Sequence, residues 1–142
     1  MVNLKIKLDP GAIAPHRAHP QDAGLDLYAR EAKEIPPGGS CNFGTGVHML
    51  IPDGWCGLLV ARSGLNAQHS LTSTGLIDAG YTGEVRVKLY NHGTRPYPVA
   101  AGDRISQIVI LPCMVCGVEI VPQGGALAET DRGEDGFGSS GR

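Results

Sequence analysis

The sequence predicts an all-β domain with one short helix, and three observations carry that prediction. Glycine (21) and proline (10) punctuate the 142-residue chain densely while charged residues make up only 18% of it, a composition that favours short strands and turns over long helices. Apolar side chains recur with a period of two in several separate runs, as strands with one buried face require. Only residues 62–70 read as a helix, and that helix is short. The length suits one domain with a core that needs no disulfides.

Leu4, Ile6 and Leu8 alternate with Lys5 and Lys7, predicting a strand whose lysines guard a sheet edge. Residues 10–20 form a loop. His16 and His19 have the spacing of a helical metal pair, but Pro15 and Pro20 argue against a helix, so both are expected as exposed loop histidines. A strand follows over residues 25–28, where Asp26 sits between apolar neighbours after the small Ala23-Gly24 step. By itself this permits either a solvated carboxylate or a functional one. Residues 35–39 turn the chain, and 47–51 and 55–60 read as strands separated by Pro52-Asp53-Gly54.

The second of these runs into Ala61-Arg62-Ser63-Gly64-Leu65. A guanidinium fork, a hydroxyl and an unobstructed amide in succession suit one phosphate; the alternative is a helical turn capped by Ser63 with Arg62 solvated. Next comes Gly75-Leu76-Ile77-Asp78-Ala79-Gly80-Tyr81-Thr82-Gly83, read as a tight hairpin that carries a carboxylate and an aromatic ring three residues apart. Its glycines permit positive φ or close approach to a ligand, leaving backbone groups for recognition. Residues 84–90 form the returning strand, with Val85, Val87 and Leu89 on one face. After a turn at Asn91-His92-Gly93, residues 105–111 form the most apolar strand, central or interfacial, with Gln107 either a satisfied core amide or a group facing a ligand.

Cys113-Met114-Val115-Cys116 is a lone CxxC in a segment that reads as a strand, so Cys41, Cys56, Cys113 and Cys116 are expected as inert thiols rather than metal or redox groups. From Gln123 onward no apolar run remains. Residues 1–122 are therefore expected as the core domain and 123–142 as a flexible arm. Residues 136–141 match GxGxxG, yet neither the preceding strand nor the following helix of a dinucleotide or Walker site is present. Arg132, Phe137 and Ser139 on such an arm suit closure over a phosphate-bearing ligand, with the ring stacked on a base.

The formal net charge of −2 provides no general attraction to nucleic acid or an anionic membrane, so neither is expected as a partner. No run approaches the roughly 20 apolar residues of a membrane span, and the chain opens directly into an alternating strand rather than a signal peptide. A cytoplasmic location is expected.

Five segments, in order, resemble the motifs of the trimeric dUTPases: Ala23-Gly24-Leu25-Asp26-Leu27, residues 61–65, residues 75–83, Gly102-Asp103-Arg104-Ile105-Ser106-Gln107, and residues 132–141. The resemblance implies a distorted jelly-roll or β-barrel of the β-clip type, forming a homotrimer with shared active sites. It implies hydrolysis of dUTP at the α-phosphate to dUMP and pyrophosphate, with Mg2+ on the triphosphate. That reaction limits uracil incorporation into DNA and supplies dUMP for thymidylate synthesis.

Carried over by position, Asp78 would activate the attacking water, Tyr81 would pack on the deoxyribose, and Gln107 would lie near the α-phosphate. Arg62, Ser63 and Gly64 would bind phosphate. Gly75, Leu76 and Ile77 would read uracil through their backbone, and Arg86 and Thr72 occupy positions that can contact substrate. Asp26 would hold Mg2+ through water, and Arg132, Phe137, Gly138 and Ser139 would form the closing arm. Thr72 departs from many bacterial relatives, which carry Asn there. The related dCTP deaminases are disfavoured, because Lys88 stands where that family needs a glutamate and Gly64 where it has a serine.

Overall fold

The computed structural model describes residues 3–131 and 133. In chain order the elements are β1 (Lys5–Leu8), β2 (Gly24–Tyr28), β3 (Lys33–Ile35), β4 (Ser40–Leu50), β5 (Trp55–Val60), α1 (Ser63–His69), β6 (Leu71–Ile77), β7 (Glu84–Asn91), β8 (Tyr97–Val99) and β9 (Arg104–Pro112). Seven strands form one curled sheet in the order β1-β4-β7-β6-β5-β9-β2, and β3 pairs with β8 in a second small sheet. The all-β expectation with one short helix holds. As expected, β1 lies at an edge and the apolar β9 lies inside the sheet.

The period-two runs become the core. Val85, Val87 and Leu89 are fully buried and pack with Phe43, Val47, Leu71, Ile105 and Ile108. In the far half of the sheet, Leu25 lies opposite Ile108, which lies opposite Leu59 and then Gly75, a row on the core face. The neighbouring row must point the other way. It consists of Asp26, Gln107, Val60 and Thr74, each directly opposite the next across β2, β9, β5 and β6. Strand alternation thus collects the carboxylate and the amide of two distant segments on one face.

Several local expectations are corrected. The hairpin is not tight: β6 pairs with β7 only through Leu71, Thr72 and Ser73, and its second half, Thr74 to Ile77, pairs with β5 instead. Gly75 permits the crossing, since a Cβ there would stand 3.0 Å from the Leu59 side chain. Ser63 does not cap α1; Arg62 is the N-cap residue and no side-chain cap bond forms. The strand predicted over 47–51 begins seven residues earlier, at Ser40. Residues 113–116 form no strand, because no strand among the described residues pairs with them there. β3 and β8, both only three residues long, have no alternation long enough to read.

Candidate active site

β9 runs between β2 and β5, so Gln107 has Asp26 on one side and Val60 on the other. The chain leaves β5 directly into Arg62 and Ser63. These elements enclose an open cleft of about 320 Å³ lined by Asp22, Gly24, Asp26, Arg62, Ser63 and Gln107, among others. Four of the residues singled out from sequence therefore do meet. Gly64 stands beside them facing open space.

Asp26 is buried and doubly paired. Arg62 Nε donates to Oδ1 at 3.1 Å and Arg104 Nη1 to Oδ2 at 3.4 Å. The solvated alternatives for Asp26 and Arg62 are thereby excluded. A carboxylate at the floor of a cleft needs such partners, because an unpaired buried charge is costly. Arg104 reaches Asp26 through a bulge: the register slips by one between Leu27 and Tyr28, so Tyr28 lies opposite Arg104 rather than Ile105. That slip puts Arg104 on the Asp26 face. Its role had no signal beyond its place in Gly102-Asp103-Arg104, since a bulge leaves no periodic mark.

Behind the cleft, Tyr28 donates to or accepts from His16 Nδ1 at 2.7 Å, and burial, followed by the charge of Asp26, holds the phenol above its ordinary pKa. His16 also bridges Asp26 through the backbone, and both His16 and His19, the latter beside Asp22, are exposed as expected. Ser106 Oγ bonds Ser73 Oγ at 2.7 Å and the Val60 carbonyl at 2.8 Å, tying β9 to β6 and β5 beside Gln107.

Gly24 has a stereochemical reason that the sequence did not reveal. A Cβ on it would meet Gln107 Oε1 at 2.3 Å, so the bare backbone leaves room for that amide. Gly24→Ala is expected to displace Gln107, lowering kcat/KM about tenfold or more while the fold persists, as circular dichroism alongside steady-state kinetics would check. Unchanged kinetics would mean the amide has no fixed post.

The second group of residues lies on the opened hairpin and does not line the cleft. Asp78 is exposed, and its carbonyl accepts from Tyr81 N at 3.3 Å across a turn in which Gly80 has φ of 80°. That φ is what the third position of such a turn demands. Gly83 serves differently: its missing Cβ makes room for the Tyr81 ring, whose hydroxyl donates to the Glu84 carbonyl at 3.1 Å. Between Thr74 and Ile77, antiparallel pairing with β5 uses the backbone groups of alternate residues; the others turn into the gap left by β7. The half-buried Gly75 and Ile77 and the exposed Leu76 thus border main-chain groups that face no strand among the described residues.

Thr72 Oγ1 is bonded to His92 Nε2 at 2.8 Å, and Arg86 Nη1 to Glu84 Oε2 at 2.7 Å. Exposed pairs of the latter kind are worth about 1 kcal/mol or less, so a ligand can redirect them. Lys88 lies over the Tyr90 ring at 5.1 Å. Arg132, Phe137, Gly138 and Ser139 lie outside the described residues.

All four cysteines are free, and burial, then the neighbouring Cys113, holds the Cys56 thiol above its ordinary pKa. Among the described residues no three His, Cys, Asp or Glu side chains cluster to hold a metal. Nor is any helix among them long and apolar enough to cross a membrane.

The dUTPase family model matches residues 11–141. The deoxyuridine 5'-triphosphate nucleotidohydrolase of Clostridium acetobutylicum is 46% identical over 145 residues, covering 99% of this chain and 98% of that protein. Its counterpart in Leifsonia xyli is 44% identical, covering 89% and 84%. Among solved structures, the Staphylococcus bacteriophage 80alpha dUTPase with dUpNHpp superposes with a TM-score of 0.91 at 30% identity, covering all of both chains. A phage phi11 dUTPase variant, described with a structural Mg(II) ion, superposes at 0.79 and 28% identity over 85% of this chain. With the family model spanning nearly its whole length and relatives this similar end to end, the chain belongs to the dUTPase family.

Proposed function

We infer that this dUTPase family member hydrolyses dUTP to dUMP and pyrophosphate using the two groups of residues described above, brought together between subunits. The family reaction is dUTP hydrolysis, and the assignment of residues to its steps is our reading. The observation that carries it is the separation itself. Asp26, Arg62, Ser63 and Gln107 share one cleft, while Asp78 and Tyr81 stand exposed on the hairpin outside its lining. A triphosphate-binding half and a nucleoside-binding half on one chain complete each other if the hairpin of one subunit faces the cleft of the next.

A homotrimer supplies that arrangement. Met114, Val115, Val118 and Ile120 are between 85% and 91% exposed and lie within seven residues of each other, in a segment that pairs with no strand among the described residues. Such a run of apolar side chains suits burial against another subunit. Residues 123–142 act as the arm, with Arg132 on phosphate, Phe137 over the base, and Gly138 and Ser139 offering main-chain and hydroxyl donors.

In the reaction, Asp78 orients a water and takes its proton as the water attacks the α-phosphate. Arg62, Ser63, Gly64 and Gln107 hold the phosphates in line, stabilising charge on the leaving pyrophosphate. The free backbone groups at Gly75, Leu76 and Ile77 read uracil, and Tyr81 packs against the deoxyribose so that a 2'-hydroxyl does not fit. Thr72 and Arg86 border the nucleoside side.

The donor set fits Mg2+ only as a guest of the triphosphate. Both oxygens of Asp26 already face arginines, and no cage of ligands surrounds it among the described residues. A hard cation that keeps its waters matches this, with Asp26 meeting it through water. When bound, Mg2+ neutralises phosphate charge and so eases departure of pyrophosphate. The protein acts in the cytoplasm on a free nucleotide.

The test is a substrate panel with product identification. The full chain should release pyrophosphate from dUTP in a Mg2+-dependent manner and leave dTTP and UTP nearly untouched, and a chain ending at residue 130 should stay folded but turn over poorly. Equal turnover of the three nucleotides, ammonia release from dCTP, or full activity of the shortened chain would each refute part of this reading.

A further inference from the structure

His48 is held at both ring nitrogens by acceptors. Nε2 lies 3.2 Å from Asp9 Oδ1 and Nδ1 lies 3.0 Å from the Thr82 carbonyl. A neutral imidazole has one N–H and can donate to only one of them; the imidazolium donates to both. Thr82 sits between Tyr81 and Gly83, so the histidine grips the loop that carries the Tyr81 ring.

The grip is built by the sheet. Between Gly44 and His48 the β4–β7 register slips by two residues, which places His48 rather than Gly46 opposite Glu84 at the foot of that loop. Gly46 has φ of 66°, and its amide donates to Glu84 Oε1 at 2.9 Å. Asp9 is fixed in turn: its amide donates to the Gly46 carbonyl at 2.8 Å, and Arg30 Nη1 approaches its other carboxylate oxygen at 3.4 Å. The charged groups facing His48 are therefore Asp9 after β1, Lys7 directly opposite on β1, and Glu84 directly opposite on β7. Arg30 acts on it only through Asp9. The His48 side chain is 21% exposed and lies outside the cleft of Asp26.

We propose that His48 is a positioning residue for sugar discrimination: held between Asp9 and the Thr82 carbonyl, its ring fastens the loop that aims Tyr81. The inference rests on the sugar-reading role given to Tyr81 above. The ring ties the Thr82 carbonyl to Asp9 across two strands, so removing it frees the loop. Discrimination against a 2'-hydroxyl weakens with that tie.

The experiment measures the ratio of kcat/KM for dUTP to that for UTP at one pH, in the full chain, in His48→Ala and in His48→Gln. The ratio should fall about fivefold or more in His48→Ala. In His48→Gln, whose amide can still donate to the Thr82 carbonyl, most of it should be kept. Asp9→Asn, a gentler change, should reduce the ratio part of the way while the protein stays folded. In parallel, the Tyr81 ring carbon resonances should move in His48→Ala and stay near their original positions in His48→Gln. If His48→Ala stays folded and keeps the ratio, or if His48→Gln loses as much of it as His48→Ala, the inference is wrong. If the resonances move in His48→Ala but Tyr81→Ala leaves the ratio unchanged, the grip on the loop stands and the sugar-reading role of Tyr81 fails.

Discussion

Asp78→Asn should lower kcat for dUTP by about 10²–10⁴-fold, the span that a positioned general base contributes, with KM changed little. The carboxylate is exposed on the turn closed by Tyr81 N, and among the described residues its side chain makes no hydrogen bond. Replacing it therefore leaves fold and turn intact while removing the group proposed to accept the proton of the attacking water. An interaction made only in the transition state reduces kcat and kcat/KM together. Single-turnover kinetics with dUTP, beside a binding measurement with a non-hydrolysable analogue, separates the two effects. A loss of less than tenfold would move the proton to another acceptor.

Asp26→Asn should weaken both stability and triphosphate binding. The carboxylate is the shared partner of Arg62 and Arg104, and its side chain is only 12% exposed. An amide in its place loses the charge and turns an N–H toward one guanidinium. Fully buried pairs broken in this way cost several kcal/mol, but Arg62 and Arg104 are 29% and 45% exposed and regain water. A cost of about 1–3 kcal/mol follows, read from denaturant unfolding at fixed protein concentration. Arg62, no longer aimed, and the loss of the carboxylate proposed to meet metal-bound water should raise KM for dUTP about tenfold or more. Wild-type KM and stability together would show that the triad has no part in the site.

The two substitutions probe residues that the sequence brought into view by different routes. Asp78 and Tyr81 stand close together on a glycine-bounded turn, so local chemistry singled them out. Asp26 and Gln107 were ambiguous, each open to a structural reading, because their meaning depends on being cross-strand neighbours. Arg104 had no assigned role at all. It lies 78 residues from Asp26, and the one-residue slip that turns it to the right face is a property of the paired strands. His48 escaped for a similar reason, since a two-residue slip in β4 and a contact with Asp9 39 residues away define it.

By itself, the sequence determined the all-β class, the apolar faces of the strands, the short helix and the ordered segments that mark the dUTPase family. These are local: side-chain alternation, turn-forming residues and short motifs act over a few neighbours, and they survive being read one at a time. Only the tertiary structure decided which strand each backbone edge pairs with. It splits β6 between β7 and β5, opening the hairpin that reads as tight, and it seats Asp26 between two arginines while leaving Asp78 outside their cleft. Register and partner choice are settled by packing across the whole sheet, where a slip of one residue reverses the face of every side chain beyond it.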